Sequence, residues 1–199
     1  MQDLLNLYKE KKNEIKSRLD QFKGLSEEQK FHEFLFCLLT PQSNAQRCWS
    51  AVEEISKLKA HNEANIHNIL KTKTRFHNVK TQRILKAKET WKEIKPALKN
   101  NNTKDLRNFL AETVNGYGLK EAGHFLRNIG LSNNQIAILD RHILRNLKEL
   151  GVIENDKIKN KKHYFELENA FLSFSNSMDI PVDELDLLWW SKENGEIFK

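Results

Sequence analysis

Two side chains in this sequence, Lys120 and Asp140, could carry out covalent chemistry together. Lys120 follows a glycine-containing turn and lies in the first turn of a predicted helix, where the helix dipole disfavours a cation. An amine that is kept neutral is a nucleophile. Asp140 follows the apolar residues 136–139 and begins the next predicted helix, so its carboxylate could stabilise positive charge or accept a proton. Each also has an ordinary interpretation, as a solvated lysine and as a helix-capping aspartate.

The turn before Lys120 reads Asn-Gly-Tyr-Gly and separates an apolar-periodic segment that ends near Val114 from another that begins at Leu119. This pattern predicts a helix, a hairpin and a second helix. Gly116 and Gly118 allow the backbone to approach a ligand closely. The N–H groups that open the second helix are expected to be unsatisfied donors, which favours a bound phosphate. An ordinary tight connection between two helices would have the same pattern.

Helices are predicted on both sides of this motif. Apolar residues recur at helical spacing through most of the chain, and the alternation typical of strands is absent. Ser26 begins a capping box before the apolar run FHEFLFCLLT, and Pro96 ends the helix that starts at Asn78. Residues 157–163 are predicted to form a basic loop. The sequence therefore predicts an all-α fold.

This fold is expected to be a single compact unit over residues 1–199, organised as a two-lobed helical bundle whose helix-hairpin-helix motif lines a cleft. One lobe is predicted over about residues 30–115. The other is predicted to combine residues 1–29 with residues 116–199.

Composition restricts the class of protein. The chain has 33 basic and 27 acidic side chains, a surplus that fits a polyanionic partner but is also typical of a solvated lysine-rich surface. Cys37 and Cys48 are the two cysteines, which indicates a reducing compartment and excludes a four-cysteine iron–sulfur cluster. No metal-ligand cluster is recognisable. A signal peptide and a membrane span are not found, so an intracellular protein is expected, in the cytoplasm or nucleoid.

Several stretches together resemble one family. They are GYGLKEAGHFLRNIG followed by AILDRHIL, then LLTPQSNAQRCW, RFHNVK and the ending LDLLWWSKENGEIFK. The first pair resembles the helix-hairpin-helix DNA glycosylase superfamily with its trailing aspartate. The whole set is similar to the archaeal-type 8-oxoguanine DNA glycosylase/lyases, over about residue 31 to the last residue.

The resemblance implies a bifunctional base-excision repair enzyme that acts on damaged duplex DNA as a monomer. Lys120 would expel 8-oxoguanine from the sugar, form a Schiff base, and cut the strand by β-elimination. Asp140 would be the essential acid, and Gly116 and Gly118 would contact DNA phosphate. The reaction needs no redox cofactor, although a monovalent cation at the hairpin carbonyls is compatible with the motif.

The resemblance also assigns recognition of the extruded base. Lys199, held by the apolar residues before it, would present its carboxylate to the N7–H of 8-oxoguanine, a donor that guanine lacks. Trp190 and Phe76 would stack on the base. Without the resemblance, Lys199 would be interpreted as part of a hydrophobic tail that docks the last helix. Both aromatic residues could equally be core, although basic and polar residues flank Phe76.

Gln42, Ser43 and Asn44 would fill the gap left in the duplex, although a capped polar turn explains them nearly as well. His124 and His142 lie near the key residues and are interpreted as supports or as core. Two alternatives remain: a glycosylase of the same superfamily for another damaged base, with Lys199 purely structural, or a non-catalytic module that grips DNA phosphate through the hairpin.

Overall fold

The computed structural model describes residues 2–199, and within them it contains helices and loops but no strand. The prediction of an all-α fold is therefore confirmed. The ten α-helices of the described residues are α1 Gln2–Lys23, α2 Glu27–Leu39, α3 Ala45–Ser56, α4 Glu63–Lys73, α5 His77–Ile94, α6 Thr103–Thr113, α7 Leu119–Asn128, α8 Arg141–Glu149, α9 Lys161–Ser177 and α10 Val182–Asn194. A 3₁₀ helix at Lys95–Lys99 follows α5.

Local capping explains where several helices begin. Ser26 makes both hydrogen bonds of a capping box with Gln29 at the start of α2, as predicted. The predicted basic loop over residues 157–163 is wrong in its second half, because α9 begins at Lys161. Its cap is Asn160, whose side-chain oxygen accepts a hydrogen bond from His163 N. The basic residues after Asn160 thus form the first turn of a helix.

The chain divides into two compact units. One comprises Leu25–Phe125, and the other comprises the residues up to Gly24 together with Leu126–Lys199. The sequence predicted that the lobes divide near residues 30 and 115. In the structure the units divide after Gly24 and after Phe125, and the second division lies within α7. Residue 1 of the predicted unit lies outside the described residues. Among the described residues, no helix is long and apolar enough to cross a membrane.

The core of the Leu25–Phe125 unit is an aromatic cluster. Phe34 is fully buried, and the ring centroids of Trp91, Tyr117 and Phe125 lie 5.6, 5.5 and 6.0 Å from its own. The Tyr117 hydroxyl donates to the Phe34 carbonyl at 2.9 Å, and burial raises the pKa of this tyrosine well above its usual value. Because Tyr117 belongs to the hairpin, this cluster fixes the turn that precedes α7.

The core of the other unit is built around α10. The Trp189 ring is buried and stacks on Phe171 with a centroid distance of 5.1 Å. On the same helix, Asp186 is buried, and its Oδ2 lies 3.3 Å from Nη2 of the buried Arg127. The Tyr8 hydroxyl of α1 donates to Glu184 at 2.7 Å. These contacts hold α10, which carries Trp190, against α1 and the end of α7.

Candidate functional site

The hairpin connects α6 to α7 through a backbone conformation that requires glycine. Gly116 has φ +106°, and a Cβ atom at this position would lie 2.6 Å from Arg83 Nε. The Tyr117 N–H donates to the Val114 carbonyl at 3.0 Å, which closes the turn. Arg83, on α5, therefore places a guanidinium against the hairpin where a phosphate was predicted. The sequence did not single out Arg83, because nothing distinguishes it from the other basic residues of α5.

Lys120 lies in the first turn of α7, as predicted, and its side chain is 26% exposed. Its Nζ is 2.8 Å from Glu121 Oε1. Glu121 Oε2 accepts a hydrogen bond from Gly118 N at 3.1 Å, so this carboxylate reaches back to the residue before the helix. The Gly118 N–H, expected to be unsatisfied, is thus engaged in this structure, and phosphate binding there stays a prediction. The spacing Gly-x-x-Glu was the signal for this contact.

The turn after α2 carries the residues predicted to fill the gap in the duplex. Gln42 is exposed and adopts a left-handed conformation with φ +54°, which is uncommon for a residue other than glycine. Asn44 caps α3 by accepting a hydrogen bond from Arg47 N at 3.0 Å. Asn44 therefore has the capping role that the ordinary interpretation gave it. Its role on DNA stays a prediction.

Phe76 lies at the start of α5 and is 53% exposed, which is unusual for a large apolar side chain. It also has a left-handed backbone, with φ +57°. The Arg75 guanidinium lies 5.4 Å from the centre of its ring. Ser43 Oγ accepts a hydrogen bond from Arg75 N at 2.9 Å. The structure thus brings the turn of Gln42 together with the segment of Phe76, which the sequence could not show.

Asp140 is the N-cap of α8. Its Oδ1 accepts hydrogen bonds from His142 N and Ile143 N, both at 2.8 Å, so the cap fixes the direction of the carboxylate. The buried residues 136–139 lead into it, as the sequence indicated. The N–H of Ala137 donates to Glu168 at 2.9 Å.

The Ala137 carbonyl is held as well, since it accepts from the Tyr164 hydroxyl at 2.9 Å. Glu168 and Tyr164, both on α9, therefore secure the segment that delivers Asp140. Neither residue stood out in the sequence. Each looks like an ordinary member of an amphipathic helix until the fold places it beside residue 137.

Trp190, on α10, is half-buried, and its ring centroid lies 5.4 Å from that of His142. His142 Nδ1 lies 3.3 Å from Glu193 Oε2, and Glu193 also pairs with Arg145. Arg145 and, more weakly, His142 lower the pKa of the Glu193 carboxyl below its usual value. His142 thus contacts Trp190 directly, which fits the supporting role considered for it. Trp189, by contrast, belongs to the core.

Lys199 is 6% exposed, so the last residue of the sequence is buried rather than frayed. Arg18 Nε donates to the Phe198 carbonyl at 2.6 Å. Arg18, on α1, therefore fixes the backbone just before Lys199, and it is a further residue that the sequence did not identify. A contact from the first helix to the last residues has no local signal.

His124 and the two cysteines belong to the core. His124 is buried, with its ring edge-on to Phe36 at a centroid distance of 5.6 Å. Cys37 and Cys48 are buried thiols, and burial raises the pKa of Cys48 to about 11. Within residues 2–199, no three histidine, cysteine or acidic side chains are grouped so that they could hold a metal ion.

Comparison with known proteins adds a family match. A family model described as 8-oxoguanine DNA glycosylase matches residues 15–180. A protein of Fusobacterium nucleatum named 8-oxoguanine DNA glycosylase/AP lyase is 37% identical, with 99% of this chain and 96% of that protein covered. A protein of the same name from Saccharolobus solfataricus is 35% identical, with 93% of each chain covered.

The fold is similar to that of a solved structure as well. The crystal structure of the Methanocaldococcus jannaschii 8-oxoguanine glycosylase/lyase in complex with a 15mer DNA containing 8-oxoguanine superimposes with a TM-score of 0.86. That match has 31% sequence identity and covers 100% of both chains.

Proposed function

Because this chain belongs to the 8-oxoguanine DNA glycosylase family, we propose that it excises 8-oxoguanine from duplex DNA and then cuts the strand as an AP lyase. The observation that carries the proposal lies within the matched residues 15–180. There, a partly exposed lysine opens α7 after a glycine hairpin, and an aspartate caps α8. These are the amine and the carboxylate that a glycosylase/lyase requires.

Lys120 is the proposed nucleophile. Its amine nitrogen forms a bond to the sugar C1′ as the bond from C1′ to the base breaks, and the departing base takes up a proton. Loss of protons from the amine and opening of the sugar ring give a Schiff base between C1′ and the lysine nitrogen. Removal of a C2′ proton then expels the 3′-phosphate, which is the β-elimination that cuts the strand.

Asp140 is proposed to stabilise the positive charge that develops on the sugar and to accept a proton from the attacking amine. The cap on α8 supports this role because it fixes the carboxylate through Oδ1. Holding a charged group in place before the reaction avoids reorganisation during it. These steps use side chains of the chain itself and no redox cofactor. A monovalent cation at the hairpin carbonyls is compatible with them.

Three residues are proposed to recognise the extruded base. The exposed ring of Phe76 and the half-buried ring of Trp190 offer stacking surfaces, worth about 1–3 kcal/mol per base. Lys199 is proposed to accept a hydrogen bond from N7–H of 8-oxoguanine through its main-chain carboxylate. An acceptor placed there would be unpaired with guanine, whose N7 is itself an acceptor.

Other residues are proposed to contact the duplex around the extruded base. Gln42, Ser43 and Asn44 are proposed to occupy the gap and contact the orphaned base, and Gly116 and Gly118 to hold phosphate through their N–H groups. Arg83 supports phosphate binding, because its guanidinium lies against Gly116. We further propose that the protein acts as a monomer on DNA in the cytoplasm or nucleoid.

Trapping of the Schiff base with borohydride tests the proposal. The native chain, incubated with duplex DNA containing 8-oxoguanine, should give a covalent adduct and a cut strand, whereas Lys120→Gln should give neither. Lys88→Gln, at an exposed position on α5, is the matched control and should behave as the native chain. Salt-dependent DNA binding by the native chain without an adduct would instead indicate a non-catalytic DNA-binding module.

Deletion of Lys199 tests the choice of base. The deletion should lower excision of 8-oxoguanine while leaving cleavage at preformed abasic sites within about twofold, because the lyase step needs no base. Lys192→Gln, at an exposed position on α10, is the control. Unchanged excision of 8-oxoguanine by the deletion variant would show that Lys199 does not read the base, which would favour another lesion as the substrate.

A further inference from the structure

Lys80, on α5, is a residue that the reaction proposed above does not use. Its side chain is among the largest that are fully buried, with 1% of the residue exposed. Lysine is almost never fully buried unless its charge is compensated, since removing an ammonium group from water is costly. A cation kept inside the Leu25–Phe125 unit therefore needs an explanation.

The ammonium group is satisfied by three oxygen atoms. Lys80 Nζ donates to the Leu39 carbonyl at 2.7 Å, to the Pro41 carbonyl at 2.9 Å and to Ser43 Oγ at 2.8 Å. These acceptors match the three N–H donors of the group, and none of them is charged. The Leu39 carbonyl belongs to the last turn of α2, where carbonyl groups lack partners within the helix and the dipole favours a cation.

Two of these acceptors flank Gln42. Pro41 precedes it and Ser43 follows it, so Lys80 binds the chain on both sides of the exposed residue that is proposed to enter the duplex. Gln42 has φ +54°, a conformation that persists in a residue other than glycine when its surroundings hold it in place. The hydrogen bonds of Lys80 provide such a constraint.

Ser43 extends the constraint to a second segment. Its Oγ accepts from Lys80 Nζ and also from Arg75 N at 2.9 Å. Arg75 directly precedes Phe76, whose backbone is left-handed too, with φ +57°. One hydroxyl group thus joins the turn of Gln42 to the segment that presents Phe76, and both segments are anchored to the same buried ammonium group.

We propose that Lys80 is a positioning residue: as a buried cation, it holds Gln42 and, through Ser43, Phe76 in the arrangement that engages DNA around the extruded base. The inference rests on the proposed function, because it concerns the two segments that are assigned to the gap and to the base. Lys80 contacts neither DNA nor the reacting atoms in this role. It acts through the backbone of residues 41–43 and the hydroxyl of Ser43.

The charge on Lys80 is held at a cost. Burial lowers its pKa to about 8, from an ordinary value of 10.5. The charged or titratable groups that act on it are Cys48 on α3, Arg83 on α5, Arg75 before α5 and Lys120 on α7. Since lysines away from special sites seldom have such low pKa values, the retention of a cation here fits a functional position.

The test compares Lys80→Met, which keeps an unbranched side chain one atom shorter and removes the donors, with Lys86→Met at an exposed position on the same helix. Lys80→Met should slow single-turnover excision of 8-oxoguanine from duplex DNA by about 10- to 100-fold, because a small displacement of positioning groups is enough for such a loss. Cleavage of a preformed abasic site in single-stranded DNA, which has no gap to fill, should stay within about twofold of native. Lys86→Met should match native in both assays.

A spectroscopic measurement separates positioning from stability. A duplex with 2-aminopurine opposite a tetrahydrofuran abasic analogue reports entry of the turn into the gap as a change in emission. At saturating protein, the native chain and Lys86→Met should give the same change, and Lys80→Met should lose most of it. Native excision, or a native emission change, from Lys80→Met would overturn the inference.

Ser43→Ala gives a second route if Lys80→Met does not fold. This variant leaves the Leu39 and Pro41 carbonyls available to Lys80 but removes the bridge to Arg75. It should lower duplex excision and the emission change in the same direction as Lys80→Met, and native values in both would overturn the inference. If the native chain itself neither excises 8-oxoguanine nor forms the borohydride adduct, the proposed function fails instead.

The pH dependence of stability tests whether buried Lys80 is charged. The pKa of Lys80 is lower in the folded chain than in the unfolded chain, so the unfolded chain binds more protons between about pH 8 and 10.5. The free energy of unfolding of the native chain, relative to that of Lys80→Met, should therefore rise over this window. A difference in free energy of unfolding that stays constant with pH would overturn the claim that Lys80 is a buried cation of lowered pKa.

Discussion

The N–H groups at the starts of α7 and α8 find their hydrogen-bond acceptors in different ways. Both helices begin with backbone N–H groups that lack partners within the helix. At α8, Asp140 caps the N–H groups of the second and third helical residues with its own side chain. At α7, Gly118 has no side chain to offer, and Glu121 reaches back to the Gly118 N–H. The first turn of α7 also carries the cation of Lys120.

The difference shows how each candidate functional group is held. The carboxylate of Asp140 is oriented by the stabilising interaction itself, so the position is favourable for stability and for the proposed chemistry. Lys120 gains nothing from the dipole of its helix, and the neighbouring carboxylate of Glu121 compensates its charge at 2.8 Å. The acid is therefore placed by its own cap, whereas the amine depends on a residue that looked incidental in the sequence.

The largest effect is expected at Asp140, where capping and chemistry can be separated. Asn caps a helix about as well as Asp, so Asp140→Asn should change the free energy of unfolding by less than about 0.5 kcal/mol. Excision should nevertheless fall about 100- to 1,000-fold, because the charge is lost. Asp140→Ala should lose the same activity and also about 1 kcal/mol of stability. Urea denaturation measures the free energy of unfolding, and single-turnover kinetics measure excision. Near-native excision by Asp140→Asn would show that Asp140 acts only as a helix cap.

The next largest effect is expected at the glycine hairpin that precedes α7. Gly116→Ala should destabilise the protein by about 1–3 kcal/mol, since alanine is strained at φ +106°. Its Cβ should also displace the Arg83 side chain and so weaken duplex binding.

Gly151→Ala is the matched control. Gly151 has φ +70° at the end of α8, and nothing lies within 4 Å of an added Cβ. This variant should cost about 1 kcal/mol and leave duplex affinity unchanged. Equal affinities for the two variants, measured by anisotropy, would mean that Arg83 does not contribute to binding.

The smallest effect is expected at Glu121. Glu121→Gln keeps an oxygen that can accept from Gly118 N but removes a negative charge beside the predicted phosphate site. Affinity for undamaged duplex should rise about threefold at low salt, and the gain should shrink as salt is added. Glu89→Gln, at an exposed position on α5, removes the same charge elsewhere and should have less effect. A weaker complex with Glu121→Gln would indicate that the carboxylate supports the hairpin more than it repels phosphate.

Local signals in the sequence were sufficient for much of the fold. The all-α class, the capping box at Ser26 and the helix start at Asp140 each depend on residues a few positions apart, and the structure agrees with all three. The start of α9 was missed although its signal was local too. Asn160 is a good cap, but the basic residues after it were interpreted as a loop.

The long-range contacts that support the candidate site were not predictable, because they join distant parts of the chain. Lys80 and Leu39 are 41 residues apart, and Arg18 and Phe198 are 180 apart. A buried lysine and a surface lysine look alike in the sequence, since both occur in amphipathic helices rich in basic residues. The candidate site residues came from local patterns and from the family resemblance, whereas the residues that support them are recognised only in the tertiary structure.

The hydroxyl of Ser43 also bears on how this chain can evolve. The buried ammonium group of Lys80 has three oxygen partners, and loss of one would leave a buried donor unpaired. A methyl group in place of the Ser43 hydroxyl would also remove the acceptor of Arg75 N. Threonine is a conservative replacement at this position. Substitutions at positions 43 and 80 are therefore expected to be correlated among homologous sequences, with an oxygen-bearing side chain at one accompanying lysine at the other.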